Sequence, residues 1–283
     1  MTELVKDYTR LSTSVGDGGV AQLTLTAAEE FNRMPPAFWV EFPEALTTLN
    51  ESGKVRAVVV SALGKHFSSG LDTSMFGGGG ESKLDAGRRG EASIRNIDRM
   101  QDAFSVIERV RMPVIAAIQG ACIGGGVDLA SACDIRYCTS DAFFCIQEIN
   151  IGMAADVGTL QRLPNLIPDG LMRELAYTGR RMYADEAKEI GLVNEVFDDH
   201  DAMLKSVTAI ADEIATKSPL AIASTKHLLN YGRDHSIKDT LDYQQVWMSG
   251  VPQGGEIMKH FTAKSEGGAA TFDDLGPIKE GEQ

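Results

Sequence analysis

Positive charge, cysteine and long apolar runs are all scarce in this chain, and each shortage removes a class of protein. Its 27 Lys and Arg stand against 40 Asp and Glu, a net charge of −13. Nucleic-acid binding draws on clustered cations, so nucleic acid is not an expected partner. The four cysteines, Cys122, Cys133, Cys138 and Cys145, show neither CxxC pairing nor zinc-ligand spacing. They sit in apolar sequence and read as reduced core residues. The five histidines form no HxxxH or HExxH spacing, so no metal is expected. A GxSxG elbow and a GxxxxGK phosphate loop are also missing, which sets aside the serine-hydrolase and P-loop chemistries. No run of 18 apolar residues occurs, and neither end reads as a signal peptide or a peroxisomal or ER address. The expectation is a cytoplasmic protein with no membrane contact.

What is present is an ordinary globular composition, 43% apolar and 24% charged over 283 residues. A chain of this length buries about three quarters of its unfolded surface. Residues 20–25 alternate apolar and polar and predict a strand. Just before them, Gly16-Asp17-Gly18-Gly19-Val20-Ala21 matches a dinucleotide fingerprint, but it precedes a strand instead of following one, so it reads as a hairpin turn. Residues 38–49 predict an amphipathic helix, and the β-branched run 55–62 a strand buried on both faces. Residues 77–90 are glycine-rich and polar and read as a mobile lid or surface loop. Apolar residues from Ile94 to Val110 recur every three or four positions, marking a long helix that Pro113 ends. Short strands at 114–118, 135–139 and 142–146 follow. Beyond residue 157 the pattern is mainly helical, with one strand near 192–197 and a Gly-rich, acidic tail after Lys264 that reads as poorly ordered. The expectation is an α/β fold with a core at 1–200 and a helical region at 201–283.

Residues 112–167 hold the chemistry. Only seven of these 56 residues are charged, against 24% for the chain. Gly124-Gly125-Gly126 precedes a helix start, where free backbone N–H groups favour negative charge. A second exposed N–H is available in the turn Ser69-Gly70-Leu71, and two such donors on one oxygen make an oxyanion hole. Asp128, Glu148 and Asp156 stand in apolar surroundings, where an unpartnered carboxyl is costly and its pKa rises. That makes them site candidates. Asp128 equally fits a carboxylate placed at a helix dipole, and Asp134 and Asp141 read as structural.

The run Pro113-Val114-Ile115-Ala116-Ala117-Ile118-Gln119-Gly120-Ala121-Cys122-Ile123-Gly124-Gly125-Gly126-Val127-Asp128-Leu129 resembles the signature of the enoyl-CoA hydratase/isomerase (crotonase) superfamily. Phe67-Ser68-Ser69-Gly70-Leu71-Asp72 is similar to that superfamily's other oxyanion loop. The resemblance runs from about residue 10 to residue 260. Residues 127–138 and 154–164 look most like the Δ3,5-Δ2,4-dienoyl-CoA isomerase branch. Hydratases usually carry Glu where this chain has Asp128, and a Pro-Gly turn where it has Ala154-Ala155-Asp156. The resemblance implies a spiral of β-β-α turns, with a helical C-terminal region that forms homotrimers or hexamers. It implies an acyl-CoA thioester as the partner, and no cofactor beyond the CoA that is part of the substrate. Leu71 and Gly125 would be the oxyanion donors. Glu148 would be the base at C2, Asp156 the proton donor at C6, and Asp128 a third acid that orients the pair. Gly70, Leu71, Asp72, Thr73, Ser74 and Gly126 would line the thioester path, and Arg33, Lys226 and Lys264 are candidates for the CoA phosphates. The other readings are an enoyl-CoA hydratase, a Δ3-Δ2-enoyl-CoA isomerase, and a non-catalytic acyl-CoA or RNA-binding homologue.

Overall fold

The computed structural model describes residues 4–76 and 84–278. The glycine run 77–80 and residues 81–83, part of the expected mobile loop, lie outside them. The remainder of that loop is helical: Asp85 caps a helix through its Oδ1, which accepts the Arg88 N–H at 3.0 Å, so Gly87 and Gly90 fall in the first turns of a long helix. The N-cap, worth about 1 kcal/mol, together with the buried face from Met100 to Ile107, offsets two glycines that each cost about 1 kcal/mol in a helix interior.

In chain order the elements begin with β1 (Lys6–Asp7), β2 (Leu11–Val15), β3 (Val20–Leu25), α1 (Phe38–Glu51), β4 (Ala57–Ala62) and α2 (Ala86–Arg109). Next come β5 (Val114–Ile118), β6 (Ala121–Ile123), α3 (Gly125–Ala132), β7 (Ile135–Thr139), β8 (Phe143–Cys145), α4 (Thr159–Arg162) and α5 (Asp169–Thr178). The chain continues with β9 (Met182–Tyr183), α6 (Ala184–Glu189), β10 (Glu195–Phe197) and α7 (His200–Ala215). It closes with α8 (Pro219–Arg233), α9 (Ile237–Gly250) and α10 (Gly254–Ser265).

A seven-stranded sheet in the order β1-β2-β3-β4-β5-β7-β10 is parallel from β3 onward, and a smaller sheet has the order β6-β8-β9. The glycine-rich segment 16–21 is the hairpin between β2 and β3, with Gly16 N–H donating to Val20 O. Each turn of the spiral sends one strand to the large sheet and the next to the small one: β5 then β6, β7 then β8. The turn after β4 joins the small sheet through a bridge between Ser68 and Cys122.

Every residue of β4 and β5 is buried, as continuous apolar runs in central parallel strands demand. Alternate residues face opposite layers. Val58 and Val60 pack in the main core beneath α1 and α2, while Ala57 and Val59 pack with Met203, Val207 and Ala211 of α7. A cluster of Phe38, Trp39, Phe42 and Phe104 locks α1 to α2, with ring centroids 5.3–6.2 Å apart. All four cysteines are buried and free.

The tail is ordered through residue 278, against expectation. Arg56 donates to Phe272 O at 2.6 Å and to Asp274 Oδ1, Arg111 donates to Gly276 O at 3.1 Å, and Ile278 N–H donates to Glu51 O. Cations on the core hold it, a long-range pairing that local composition does not reveal. Within the helical region expected at 201–283, α10 falls where the sequence marks no individual helix, because it opens on Gly254-Gly255 and buries none of its residues. No helix among the described residues is long and apolar enough to cross a membrane.

Lys226 is buried, and its Nζ donates to Ile107 O (2.7 Å), Met112 O (3.0 Å) and Asp134 Oδ2 (2.7 Å). It is therefore a strut between α8 and the core, not a contact for CoA phosphates. Removing it strands a carboxylate and two carbonyls, so Lys226→Met is expected to cost about 3 kcal/mol in denaturant unfolding.

Candidate active site

Two segments run side by side at the centre of the molecule. Phe67 N–H donates to Gln119 O, Ser68 N–H to Ala121 O, and Ile123 N–H back to Ser68 O. Buried Asn32 secures the first segment by donating to Leu63 O and His66 O, and Ser68 Oγ donates to Asn32 O while accepting the Gly70 N–H. The approach is close enough to require glycine. Gly70 has φ +83°, and a Cβ there would lie 2.6 Å from Ile123 O and 3.1 Å from Gly125 N. A Cβ on Gly125 would lie 3.6 Å from Leu71 N and 2.9 Å from Met34 Sδ.

The N–H groups of Leu71 and Gly125 thus come together, and neither donates to an acceptor among the described residues. Gly125 opens α3, whose eight residues are all buried, so its N–H meets the positive end of a helix dipole away from bulk water. Gly126 is a packing glycine: its missing Cβ would meet Ser68 Cβ and Ser68 O, both at 3.2 Å. Asp72 is buried, accepts the Ser74 N–H at 3.0 Å and lies 3.5 Å from Arg33, so it shapes the exposed turn that carries Thr73 and Ser74. Arg33 is also paired with Glu30, whereas Lys264 is exposed on α10.

The three isolated acids gather around this point. Gly124, with φ +51°, lacks a Cβ that would lie 3.0 Å from Glu148 Oε1, so the Glu148 carboxyl rests directly on the glycine turn. Glu148 Oε2 is buried with no hydrogen-bond partner among the described residues. Burial, and then the charges of Asp128 and Asp156, push its pKa up to about 7. Asp156 is half-buried and its pKa is raised by burial, opposed by its own backbone N–H.

Asp128 is 1% exposed and pushed up to about 6 by burial, opposed by hydrogen bonds from Thr159 and the charge of Arg162. Its Oδ1 accepts the Thr159 N–H at 2.6 Å. It therefore ties α3 to the loop that carries Asp156. Asp134 accepts the Val114 N–H as well as Lys226, and Asp141 accepts from Thr139, both structural.

Three supporting residues were not legible in the sequence. Thr159 offers its backbone N–H to Asp128. Asn150 donates to Gly179 O and so pins the 3₁₀ turn Glu148–Ile151. Gln101 of α2 donates to Asp156 O at 2.7 Å. These contacts span 29–55 residues, and only the position of Asn150 between Glu148 and Asp156 could have drawn notice.

The enoyl-CoA hydratase/isomerase family model matches residues 16–274. The chain belongs to the enoyl-CoA hydratase/isomerase family. Within that family it is 44% identical over 266 residues to the mouse mitochondrial Δ(3,5)-Δ(2,4)-dienoyl-CoA isomerase, covering 92% of this chain and 80% of the relative. It is also 44% identical to the peroxisomal protein of that name from Arabidopsis thaliana (83% of this chain, 86% of the relative), and 36% identical to a probable enoyl-CoA hydratase from Mycobacterium bovis (76% and 75%). The crystal structure of an enoyl-CoA hydratase from Bacillus anthracis superposes with a TM-score of 0.84 at 28% identity, over 93% of this chain and 98% of that one. The family's α/β spiral with a helical C-terminal region is the fold described above.

These relatives correct one expectation. The mouse and Arabidopsis proteins are mitochondrial and peroxisomal, which overturns the cytoplasmic location read from the ends of the chain. Targeting segments are addresses read by receptors, and the residues that build the fold do not encode them.

The buried Glu148 has a stability consequence whose sign follows from its pKa. Between the ordinary carboxylate value of 4.5 and about 7, the folded protein holds a proton that the unfolded chain has lost. Glu148 therefore erodes stability as pH rises through that window. Glu148→Gln is expected to melt at a higher temperature than wild type at pH 8, with the gain vanishing toward pH 4.5; a pH-independent difference in thermal melts would contradict this.

Proposed function

We propose that this protein is a Δ3,5-Δ2,4-dienoyl-CoA isomerase acting in fatty acid β-oxidation. The observation that carries the reading is the buried Glu148 carboxyl, with Oε2 unpartnered among the described residues, lying against Gly124 beside two converging free N–H groups, with a second raised acid nearby. The thioester oxygen accepts from Leu71 and Gly125 N–H. Glu148 takes the C2 proton, and the electron pair spreads from C2 through C6 and onto the carbonyl oxygen. Each donor is worth a few kcal/mol of barrier when aimed at developing charge. Asp156 then gives a proton to C6, leaving double bonds at C2 and C4 in conjugation with the carbonyl. The chemistry draws on no metal or separate cofactor, CoA being part of the substrate.

The near-neutral pKa of Glu148 suits a base, which is most effective when its pKa lies near the working pH. The hydratase reading loses support at Asp128. A second acid shared by one water molecule is needed there, but Asp128 is buried and already engaged with the Thr159 N–H.

The helices after α7 fit an assembly role. α9 and α10 bury none of their residues, and Ile237, Leu241, Val246, Ile257, Met258 and Phe261 are exposed. Apolar surface of this extent marks an interface. We assign it to a homotrimer or hexamer, with the acyl-CoA site built from residues 1–200 and assembly, within the expected helical region 201–283, from α9 and α10, since α7, Lys226 of α8 and the tail pack on the core.

The test follows 2,4-dienoyl-CoA formation from 3,5-dienoyl-CoA by ultraviolet absorbance. Glu148→Gln and Asp156→Asn are each expected to lower kcat by at least about 100-fold while still binding the substrate. Rapid hydration of a 2-enoyl-CoA without diene formation would sink the reading. In wild type, kcat/KM is expected to fall tenfold per pH unit below about pH 7, as Glu148 takes up its proton.

A further inference from the structure

The loop that carries Asp156 is held at three successive points by side chains from three helices. Asp128 of α3 accepts the Thr159 N–H at 2.6 Å, Arg162 of α4 donates to Val157 O at 3.4 Å, and Gln101 of α2 donates to Asp156 O at 2.7 Å. The Gln101 bond is the shortest path from the scaffold to Asp156 itself. Gln101 is exposed, yet it stands on the rigid part of α2: Met100, Ala103 and Phe104 beside it are buried, and Phe104 belongs to the aromatic cluster with α1. Ser105 Oγ donates to Gln101 O and accepts from Arg162, which also pairs with Glu108 at 3.0 Å.

The Asp156 loop has room to shift if this hold is lost. A cavity of about 350 Å³ is lined by Gln101, Ser105, Val157, Gly158 and Arg162. The Asp156 carboxyl is also bonded by its own backbone N–H. The Asp156 carbonyl and side chain share one Cα, so a backbone shift at that carbonyl displaces the carboxyl as well.

We propose that Gln101 is a positioning residue for proton delivery at C6: by gripping the Asp156 carbonyl, it holds the carboxyl within reach of the far end of the dienolate. This rests on the isomerase reading with Asp156 as donor. C2 deprotonation by Glu148 does not depend on the grip. Without it, the dienolate still forms, but it waits for its proton at C6 and returns to substrate by reprotonation at C2. A misplacement of about 1 Å is enough to slow such a step by two orders of magnitude.

The experiment compares wild type with Gln101→Ala and Gln101→Glu, the latter matching glutamine in shape but lacking the donor. Assays run on 3,5-dienoyl-CoA in D₂O, with the unreacted substrate recovered and analysed by mass spectrometry. Both variants are expected to keep the wild-type melting temperature and a KM within about twofold, to lose roughly ten- to hundredfold in kcat, and to leave more deuterium at C2 of recovered substrate than wild type does. Wild-type kcat in Gln101→Glu overturns the proposal. So does a fall in kcat that tracks a fall in melting temperature without added C2 deuterium, since that is loss of structure. Wild-type protein that forms no conjugated diene overturns the function itself, and the role of Gln101 with it.

Discussion

Two backbone N–H groups, of Leu71 and Gly125, must meet with no side chain between them. This close approach governs the centre of the molecule. It needs glycine at 70, 124 and 125, because a Cβ at any of these positions would lie 3.0 Å or less from a backbone carbonyl, a carboxylate or a methionine sulfur. It also needs the loop after β4 to run beside the β5–β6 connection, which the Ser68–Cys122 bridge and the Asn32 side chain secure. The spiral of paired strands brings these two loops together by sending alternate strands to two sheets.

The electrostatics follow from that geometry. A helix start buried in apolar packing offers donors but no water, so nearby carboxyls pay a desolvation cost and retain protons toward neutral pH. Burial raises both Glu148 and Asp128, and the Asp128 charge raises Glu148 further, yet their partners differ. Asp128 is satisfied by the Thr159 N–H, while one Glu148 oxygen is left without a partner among the described residues. Similar pKa shifts thus accompany two unlike settings: one acid braces a loop, and the other keeps an oxygen open. Hydrogen bonding, more than the shift, separates them.

The C-terminal third divides in a comparable way. α7 completes the core against the sheet through Met203, Val207 and Ala211. The tail is drawn back onto the same core by Arg56 and Arg111. Between them, α9 and α10 leave their apolar residues outward, which supports the proposed assembly role.

Local sequence was enough for the elements and for the acids. The all-apolar runs of β4 and β5, the three- and four-residue spacing of α2, the glycines before α3, and three carboxylates set in apolar sequence were all legible, because each depends on neighbours within a few positions. The hairpin at 16–21 was legible for the same reason. The start of α2 at Ala86, the ordered tail and the burial of Lys226 were not, since an N-cap, two arginines and an inter-helix strut overrode what composition suggested. Asp128 shows the limit most clearly. Its place in a helix's first turn was plain, but its bond to Thr159, 31 residues away, exists only in the folded chain. The same holds for Gln101 and Asp156, 55 residues apart: an exposed glutamine on a helix carries no mark in sequence, and only packing of α2 against the core brings its amide to that carbonyl. Residue type and short-range pattern determined which groups are candidates for the chemistry; long-range packing alone decided which of them are held, which are free, and at what distance.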